Sequence, residues 1–165
     1  MSRQKAPQKT NAARFLDDLG VTYSMVTFQV DEDDLSAENA AKLLDLPLGM
    51  VYKTILLRGQ PTCLLEACLP AGTDLDLKAL AKAASLRSVS LVPFKELFPL
   101  TGYHRGGCSP LGGRRHFPVY LHEAATKLDK MAINAGARGL MLVLDPVDLI
   151  EATKATLANI AKPKA

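Results

Sequence analysis

Apolar residues in this chain recur with two different spacings, and each spacing predicts a different kind of element. Spacings of three and four residues, with Thr10, Ser36 and Asp145 as capping residues, are typical of helices. We predict helices over residues 10–20, 36–46, 76–85 and 145–160, and shorter helical segments over 93–98 and 123–128. Alternating or continuous apolar runs bounded by turn residues predict strands over 22–28, 51–57, 62–69, 88–92, 117–121, 130–134 and 140–144.

The order of these elements determines the predicted fold class. Strands do not alternate regularly with long helices, and the segment RGQP between two strands predicts a hairpin. The final helix is expected to carry Ile150, Thr153, Leu157 and Ile160 on one apolar face. A length of 165 residues with 48% hydrophobic content is sufficient for one buried core. We therefore predict a single α+β domain around a mostly antiparallel or mixed sheet.

Positive charge is concentrated at the two ends of the chain. Residues 1–9 carry three basic residues and 162–165 carry two, and neither end has an acid. Removing those five cations from the net charge of +3 leaves the remainder at −2, so overall basicity indicates little about a partner. We predict a flexible basic tail over 1–8, a folded domain over 9–161 and a second tail over 162–165.

Composition also bears on the compartment. The N-terminal segment has basic residues but no apolar stretch after them, and no run reaches the roughly 18 apolar residues of a membrane helix. Cys63, Cys68 and Cys108 form no CxxC pair, and Cys63 and Cys68 would point to opposite faces of one strand. Free thiols fit a reducing compartment, so we expect a cytosolic protein without a membrane partner.

The segment TGYHRGGCSPLG, from Thr101 to Gly112, is the strongest indication of a binding site. Its glycines allow close approach to the main chain, and Pro110 fixes the direction of the turn. The turn from Asn134 to Gly139 has similar composition and is either a plain hairpin turn or a second ligand-contacting segment. Seven of the eleven glycines lie between Gly102 and Gly139, which places the candidate site in the second half of the chain.

Lys53 is the strongest single residue outside that segment. The period of two along residues 51–57 places it on one strand face with Val51, Ile55 and Leu57. An unpaired ammonium is costly to bury, so the side chain either reaches water at the strand edge or points into a cleft that receives an anion or a carbonyl.

Several other kinds of site find little support. The stretch from Gly107 to Arg114 lacks the lysine of a phosphate-binding loop, and the three histidines lack metal-ligand spacing, so we expect neither a nucleotide site of that kind nor a structural metal. Cys108 is either a small buried hydrophobe or, beside a histidine, a nucleophile. Ser109 lacks the second glycine of a nucleophile elbow and is more suited to orienting a ligand.

Four cationic residues flank the glycine-rich segment: Arg105, Arg114, Arg115 and His116. They form either a solvated surface turn or a local patch for nucleic acid. Charge alone favours the solvated turn.

Three motifs in register resemble one known family. VYKT at 51–54, TGYxxGGxSPLG at 101–112 and AGxRGL at 135–140 are similar in order and spacing to the YbaK family of aminoacyl-tRNA deacylases, which includes the editing domain of many bacterial prolyl-tRNA synthetases. The resemblance extends over about 9–161. It implies a single α+β domain with a curved, partly barrel-like mixed sheet flanked by helices, and cleavage of the ester that joins a wrong amino acid to tRNA without a cofactor.

The resemblance also implies roles for individual residues. Lys53 matches the family's essential lysine, and Gly106 and Gly107 match the segment whose backbone faces the reacting ester. Further positions are expected to contact the aminoacyl group: Phe28, Tyr103, Ser109, Asn134 and Gly136. Arg105, Arg114 and Arg115 are the candidate tRNA contacts, and the expected partners are the acceptor end of aminoacyl-tRNA and, as a candidate, prolyl-tRNA synthetase.

In the branch that resembles Cys-tRNA(Pro) deacylase, the substrate's own thiol attacks its carbonyl, so no enzyme nucleophile is needed. This chain departs from that branch at three positions. Met141 replaces an aspartate, Asn134 replaces a serine and Phe28 lies near a position often held by tyrosine. Cys-tRNA(Pro) is the expected substrate, with alanine or serine as alternatives. A non-catalytic tRNA- or synthetase-binding module and an unrelated hydrolase that uses Cys108 are the other hypotheses.

Overall fold

Three β-sheets and the helices beside them make up the described part of the chain, residues 9–164 of a computed structural model. The helices are α1 (Asn11–Asp18), α2 (Ala37–Leu44), α3 (Leu77–Ala83), α4 (Phe94–Thr101) and α5 (Pro146–Thr153). The strands are β1 (Tyr23–Thr27), β2 (Tyr52–Gln60), β3 (Cys63–Pro70), β4 (Thr73–Leu75), β5 (Ser88–Leu91), β6 (Val119–His122), β7 (Met131–Ala137), β8 (Leu140–Leu144), β9 (Thr156–Ala158) and β10 (Ala161–Pro163). Short 3-10 helices cover Leu48–Met50 and Glu123–Lys127. The predicted tail over 1–8 lies outside the described residues.

The largest sheet contains both parallel and antiparallel pairs. Its order is β5-β2-β3-β6-β9, in which β2 pairs antiparallel with β3 and β5, whereas β6 pairs parallel with β3 and β9. The second sheet, β1-β8-β7, and the third, β10-β4, are antiparallel. The α+β class, the mixed sheet and the β2-β3 hairpin are thereby confirmed, and among the described strands no sheet closes into a barrel.

Helix starts follow from local side-chain chemistry. Thr10, Ser36, Asp76 and Asp145 each accept a hydrogen bond from a backbone N–H of the first turn, as N-caps do. Behind these caps, α1 buries Ala13 and Leu16 completely. Leu19, the C-cap of α1, is 54% exposed.

The C-terminal segment differs from its prediction. The last helix was expected to reach Ile160, but α5 ends at Thr153, and Lys154 adopts a left-handed backbone conformation. Beyond it, β9 pairs with β6, and Ile160 is buried against Leu57 and Leu80. The helical spacing of Leu157 and Ile160 was misleading because inter-strand hydrogen bonds and burial outweigh a weak local preference.

The chain end also differs from its prediction. Residues 162–165 were expected to form a tail, but Lys162 and Pro163 belong to β10, which pairs with β4. Three-residue strands such as β4 and β10 depend on a partner that is distant in sequence, so local pattern does not indicate them.

Two further expectations concern exposure. Cys63 and Cys68 both lie in β3, five residues apart, so they point to opposite faces of the strand, and all three cysteines are free. Within residues 9–164, no helix has the length and apolar character needed to cross a membrane.

Candidate active site

A cavity of about 460 Å³ lies where the edge of β2 is left uncovered. β5 covers only Leu57–Gln60 of β2, so the first half of the strand has no partner on that side within this sheet. The backbone carbonyl oxygen of Leu56 accepts a hydrogen bond from the N–H of Val92, which directly follows β5, so the backbone polar groups of Leu56 point towards the β5 side. Because the polar groups of alternate residues point to the same side of an antiparallel strand, the backbone N–H and C=O of Thr54 face this edge of β2, along the cavity.

The walls of the cavity come from elements that are distant in sequence. α2 and the segment before it contribute Leu35 and Glu38, and α4 contributes Phe94. Further wall residues precede α2 or lie within it, follow α4, or lie near the β7-β8 turn and at the chain end: Phe28, Val30, Asp31, Asp33, Asp34, Ser36, Ala37, Ala40, Arg105, Gly106, Cys108, Asn134, Arg138, Gly139, Met141 and Lys164. The sheet edge, the glycine-rich segment and the second glycine turn therefore meet at this cavity.

Lys53 projects from β2 into this cavity. Its Nζ donates to the carbonyl oxygen of Thr73 at 2.6 Å and lies 3.7 Å from Glu38 Oε1. The side chain is 23% exposed, so it is neither sealed in the core nor free in solvent. Of the two alternatives for this lysine, the structure favours the cleft.

Glu38 is a site residue that sequence reasoning missed. Its Oε1 accepts from Gly72 N–H and from Lys164 Nζ, both at 2.9 Å, besides lying near Lys53. Partial burial alone would raise the pKa of this carboxyl, but the hydrogen bonds from Lys164 and Gly72 outweigh burial and lower the pKa to about 2. Glu38 is therefore an anion at neutral pH. An acid in the first turn of a helix is common, so its position in the sequence gave no sign of this role.

The glycine-rich segment reaches the cavity through Gly106. Gly106 has a φ of +82°, which favours glycine, and its carbonyl oxygen accepts from Asn134 Nδ2 at 2.9 Å. Gly107 does not line the cavity, and its N–H donates to the His104 carbonyl. A Cβ at Gly107 would lie 3.2 Å from the backbone of Ala137, so the two glycine turns are in close contact there.

Asn134 joins these two turns. While its amide nitrogen bonds Gly106, its Oδ1 accepts from the N–H groups of Gly136 and Ala137 at 2.7 and 3.1 Å. Both ends of the amide are thereby occupied at the cavity wall, at a bulge where the β7-β8 register shifts between Asn134 and Ala137. Asn134 fixes the shape of this wall.

The remaining predicted substrate contacts divide into two groups. Phe28 lines the cavity, and its N–H donates to the Gly139 carbonyl. Tyr103 and Ser109 are buried behind the wall, where the Tyr103 hydroxyl donates to the Leu111 carbonyl and Ser109 Oγ accepts from Leu111 N–H. Gly136 does not line the cavity either, since Tyr103 packs against it. These three residues support the site from behind.

Cys108 has the environment of an inert thiol. Its Sγ lies 4.0 Å from Oε2 of the buried Glu66, and no histidine hydrogen-bonds to it within the described residues. Burial raises the pKa of the Cys108 thiol far above its usual range and raises the pKa of Glu66 to about 8. Both groups are protonated at neutral pH. This environment disfavours the hydrolase hypothesis that uses Cys108.

The three candidate tRNA-contacting arginines do not form one patch. The Arg105 guanidinium lies 4.2 Å from the Phe94 ring centre, at the cavity. Arg114 lies over Phe98, and Arg115 lies over the buried Phe117 beside a separate depression that His116 also lines. Within the described range, no group of three His, Cys, Asp or Glu side chains is placed to hold a metal ion.

Comparisons with known proteins identify the family to which this chain belongs. The sequence model of the family described as "Aminoacyl-tRNA editing domain" matches residues 31–152. A curated relative from Enterococcus faecalis, named "Putative Cys-tRNA(Pro)/Cys-tRNA(Cys) deacylase EbsC", is 39% identical over 160 residues, which are 97% of this chain and 98% of the relative. The chain therefore belongs to the aminoacyl-tRNA editing domain family, and the resemblance inferred from its motifs is confirmed.

Solved structures share the fold. A crystal structure of "hypothetical protein APE2540" has a TM-score of 0.84 at 21% identity, covering 93% of this chain and all of that one. A crystal structure of "a putative trans-editing enzyme for prolyl tRNA synthetase" has a TM-score of 0.77 at 18% identity, covering 94% of this chain and 99% of that one.

Proposed function

We propose that this protein is a free-standing trans-editing deacylase that cleaves the ester of mischarged aminoacyl-tRNA, with Cys-tRNA(Pro) as its substrate. The observation that carries the proposal is Lys53, which projects from the uncovered part of β2 into the cavity that Gly106 also lines. Membership of the editing-domain family supports the reaction class, and the curated relative's name supports the choice of substrate.

In this proposal Lys53 holds the acceptor end of the tRNA. An ammonium can donate three hydrogen bonds, and Thr73 accepts one of them. At 3.7 Å, Glu38 is a loose partner, so an incoming phosphate or ribose oxygen can share the ammonium with it. Lys164, also at the cavity, compensates part of the Glu38 charge and reduces repulsion of the phosphate.

The proposed chemistry uses the substrate's own thiol. Its sulfur attacks the carbonyl carbon, a C–S bond forms, and the carbonyl oxygen becomes an oxyanion. The ester C–O bond then breaks, and the ribose oxygen leaves with the proton from the thiol, which yields a thiolactone that water opens. Backbone N–H groups that line the cavity, of which Thr54 and Gly106 are the candidates, stabilise the oxyanion. Cys108 takes no part in this scheme.

A panel of mischarged tRNAs tests the proposal. Cys, Ala, Ser and Pro esters of tRNA(Pro) and tRNA(Cys) would be incubated with the protein, and the remaining ester would be measured over time. We expect cysteine to be released fastest and serine, which differs by oxygen for sulfur, at least tenfold more slowly, about 1.4 kcal/mol in the barrier, because a hydroxyl is the poorer nucleophile at neutral pH. Normal tRNA binding without deacylation of any ester would instead indicate a non-catalytic module.

A further inference from the structure

Two exposed phenylalanines on α4 form a surface with cationic side chains beside the cavity. Phe94 and Phe98 are four residues apart and 64% and 39% exposed. The Phe98 ring stacks on His104 with 4.3 Å between ring centres and 7° between planes. Arg114 lies 4.6 Å from the Phe98 ring centre, and Arg105 lies 4.2 Å from that of Phe94. We call these five residues the aromatic ledge.

The two arginines of the ledge lack a carboxylate partner. Among residues 9–164, Arg58 and Arg138 pair with Glu96 and Glu32, whereas neither Arg105 nor Arg114 has a carboxylate within ion-pair distance. Besides its contact with Phe98, the Arg114 guanidinium donates a long hydrogen bond, 3.5 Å, to the Pro99 carbonyl oxygen. Guanidinium groups over exposed rings and without anions are available to an anionic partner with flat, apolar faces.

The ledge is continuous with the candidate active site. Phe94 and Arg105 line the cavity that contains Lys53, and Phe98 and Arg114 extend the surface away from it along α4. A ligand whose reacting end occupies the cavity can therefore extend over Phe94 onto this surface. Nothing in the proposed chemistry uses Phe94, Phe98 or His104.

We propose that the unpaired nucleotides at the 3′ end of the RNA bind on this ledge, with a base stacked on Phe94 and phosphates beside Arg105 and Arg114. Stacking on an aromatic ring favours binding without requiring a particular base. The ledge is a binding site for single-stranded RNA, separate from the residues that hold the ester. That the RNA is a tRNA rests on the proposed function.

Binding of uncharged RNA tests the ledge independently of deacylation. The probes are two labelled RNA stem-loops, one ending in an unpaired ACCA and the other blunt, measured by fluorescence anisotropy at one fixed salt concentration. We expect the wild-type protein to bind the ACCA probe more tightly than the blunt one. Phe94→Leu, which keeps apolar bulk but removes the ring, should weaken ACCA binding about tenfold and leave the blunt probe unchanged.

Two further variants make the result specific. Phe94→Trp keeps a stacking surface and should bind the ACCA probe as tightly as the wild type. Phe15→Leu changes an exposed phenylalanine on α1, away from the cavity lining, and should have no effect. Equal binding of the two probes by the wild type would contradict the proposed RNA-binding role of the ledge. So would binding of the ACCA probe by Phe94→Leu with wild-type affinity. If the wild type prefers the ACCA probe but deacylates no ester, RNA binding at the ledge is supported and the proposed deacylase activity is contradicted.

Discussion

Lys53 and Glu66 are ionisable residues of the same sheet, but their surroundings differ in exposure and in charge compensation. Lys53 lies at the open part of β2, keeps 23% of its side chain exposed, and has Thr73 and Glu38 as partners. Glu66, on β3, is 4% exposed and lies beside Cys108. The Lys53 charge is therefore compensated, whereas a charge on Glu66 would be buried without a cation.

Glu66 predicts a pH dependence of stability. Burial raises its folded-state pKa to about 8 from an ordinary value of 4.5, so between these values the folded state holds a proton that the unfolded state releases. This contribution to stability is present below about pH 4.5 and is lost as the pH rises towards 8. The facing groups Cys68, Tyr103 and Cys108 do not offset this, because burial keeps all three neutral.

Glu66→Gln removes the titration while keeping the shape of the side chain. The variant should melt several degrees above the wild type at pH 8, because it avoids the buried charge, and the difference should shrink towards zero by pH 5. Thermal unfolding across this pH range measures it. A constant difference at all pH values would mean that Glu66 does not titrate as described.

At the residue scale, the sequence was sufficient to select Lys53 but not its partner. A lysine among aliphatic residues on a strand is anomalous in itself, whereas Glu38 has an ordinary place near the start of α2. Its role arises only because the fold brings Gly72 and Lys164 to the same carboxylate, across 34 and 126 residues of sequence.

At the element scale, local chemistry explains helix starts better than strand partners. The four side-chain caps set the starts of α1, α2, α3 and α5. The strands β4, β9 and β10 have three residues each and escaped prediction because their stability depends on distant partners. β10 matters for the site, since it brings Lys164 to the cavity.

Removing residues 161–165 tests the contribution of β10. The truncated protein loses the β10-β4 pairing and the Lys164 contact to Glu38, so we expect a lower melting temperature and slower deacylation. Lys164→Ala is the matched control, because it keeps the strand and removes only an exposed ion pair, which contributes little to stability. It should melt close to the wild type. A truncated protein as stable as the wild type would show that β10 is dispensable.

At the scale of the whole molecule, the three sequence motifs that indicated the family meet at one cavity. The motif with Lys53 supplies the uncovered strand edge, and Gly106 and Asn134 join the two glycine segments by a hydrogen bond. Motif order and spacing were enough to predict the family and the fold. Which motif residues face the cavity and which support it from behind depends on packing, as the buried positions of Tyr103 and Ser109 illustrate.

Single-turnover deacylation of Cys-tRNA(Pro) by Lys53→Ala is the most direct test of the central claim, that Lys53 positions the ester in this cavity. The matched control is Lys130→Ala, which removes an exposed lysine outside the cavity. We predict that Lys53→Ala lowers the rate at least a hundredfold, about 2.7 kcal/mol in the barrier, while the fold and the control rate remain unchanged. Equal rates for Lys53→Ala, Lys130→Ala and the wild type would contradict the account.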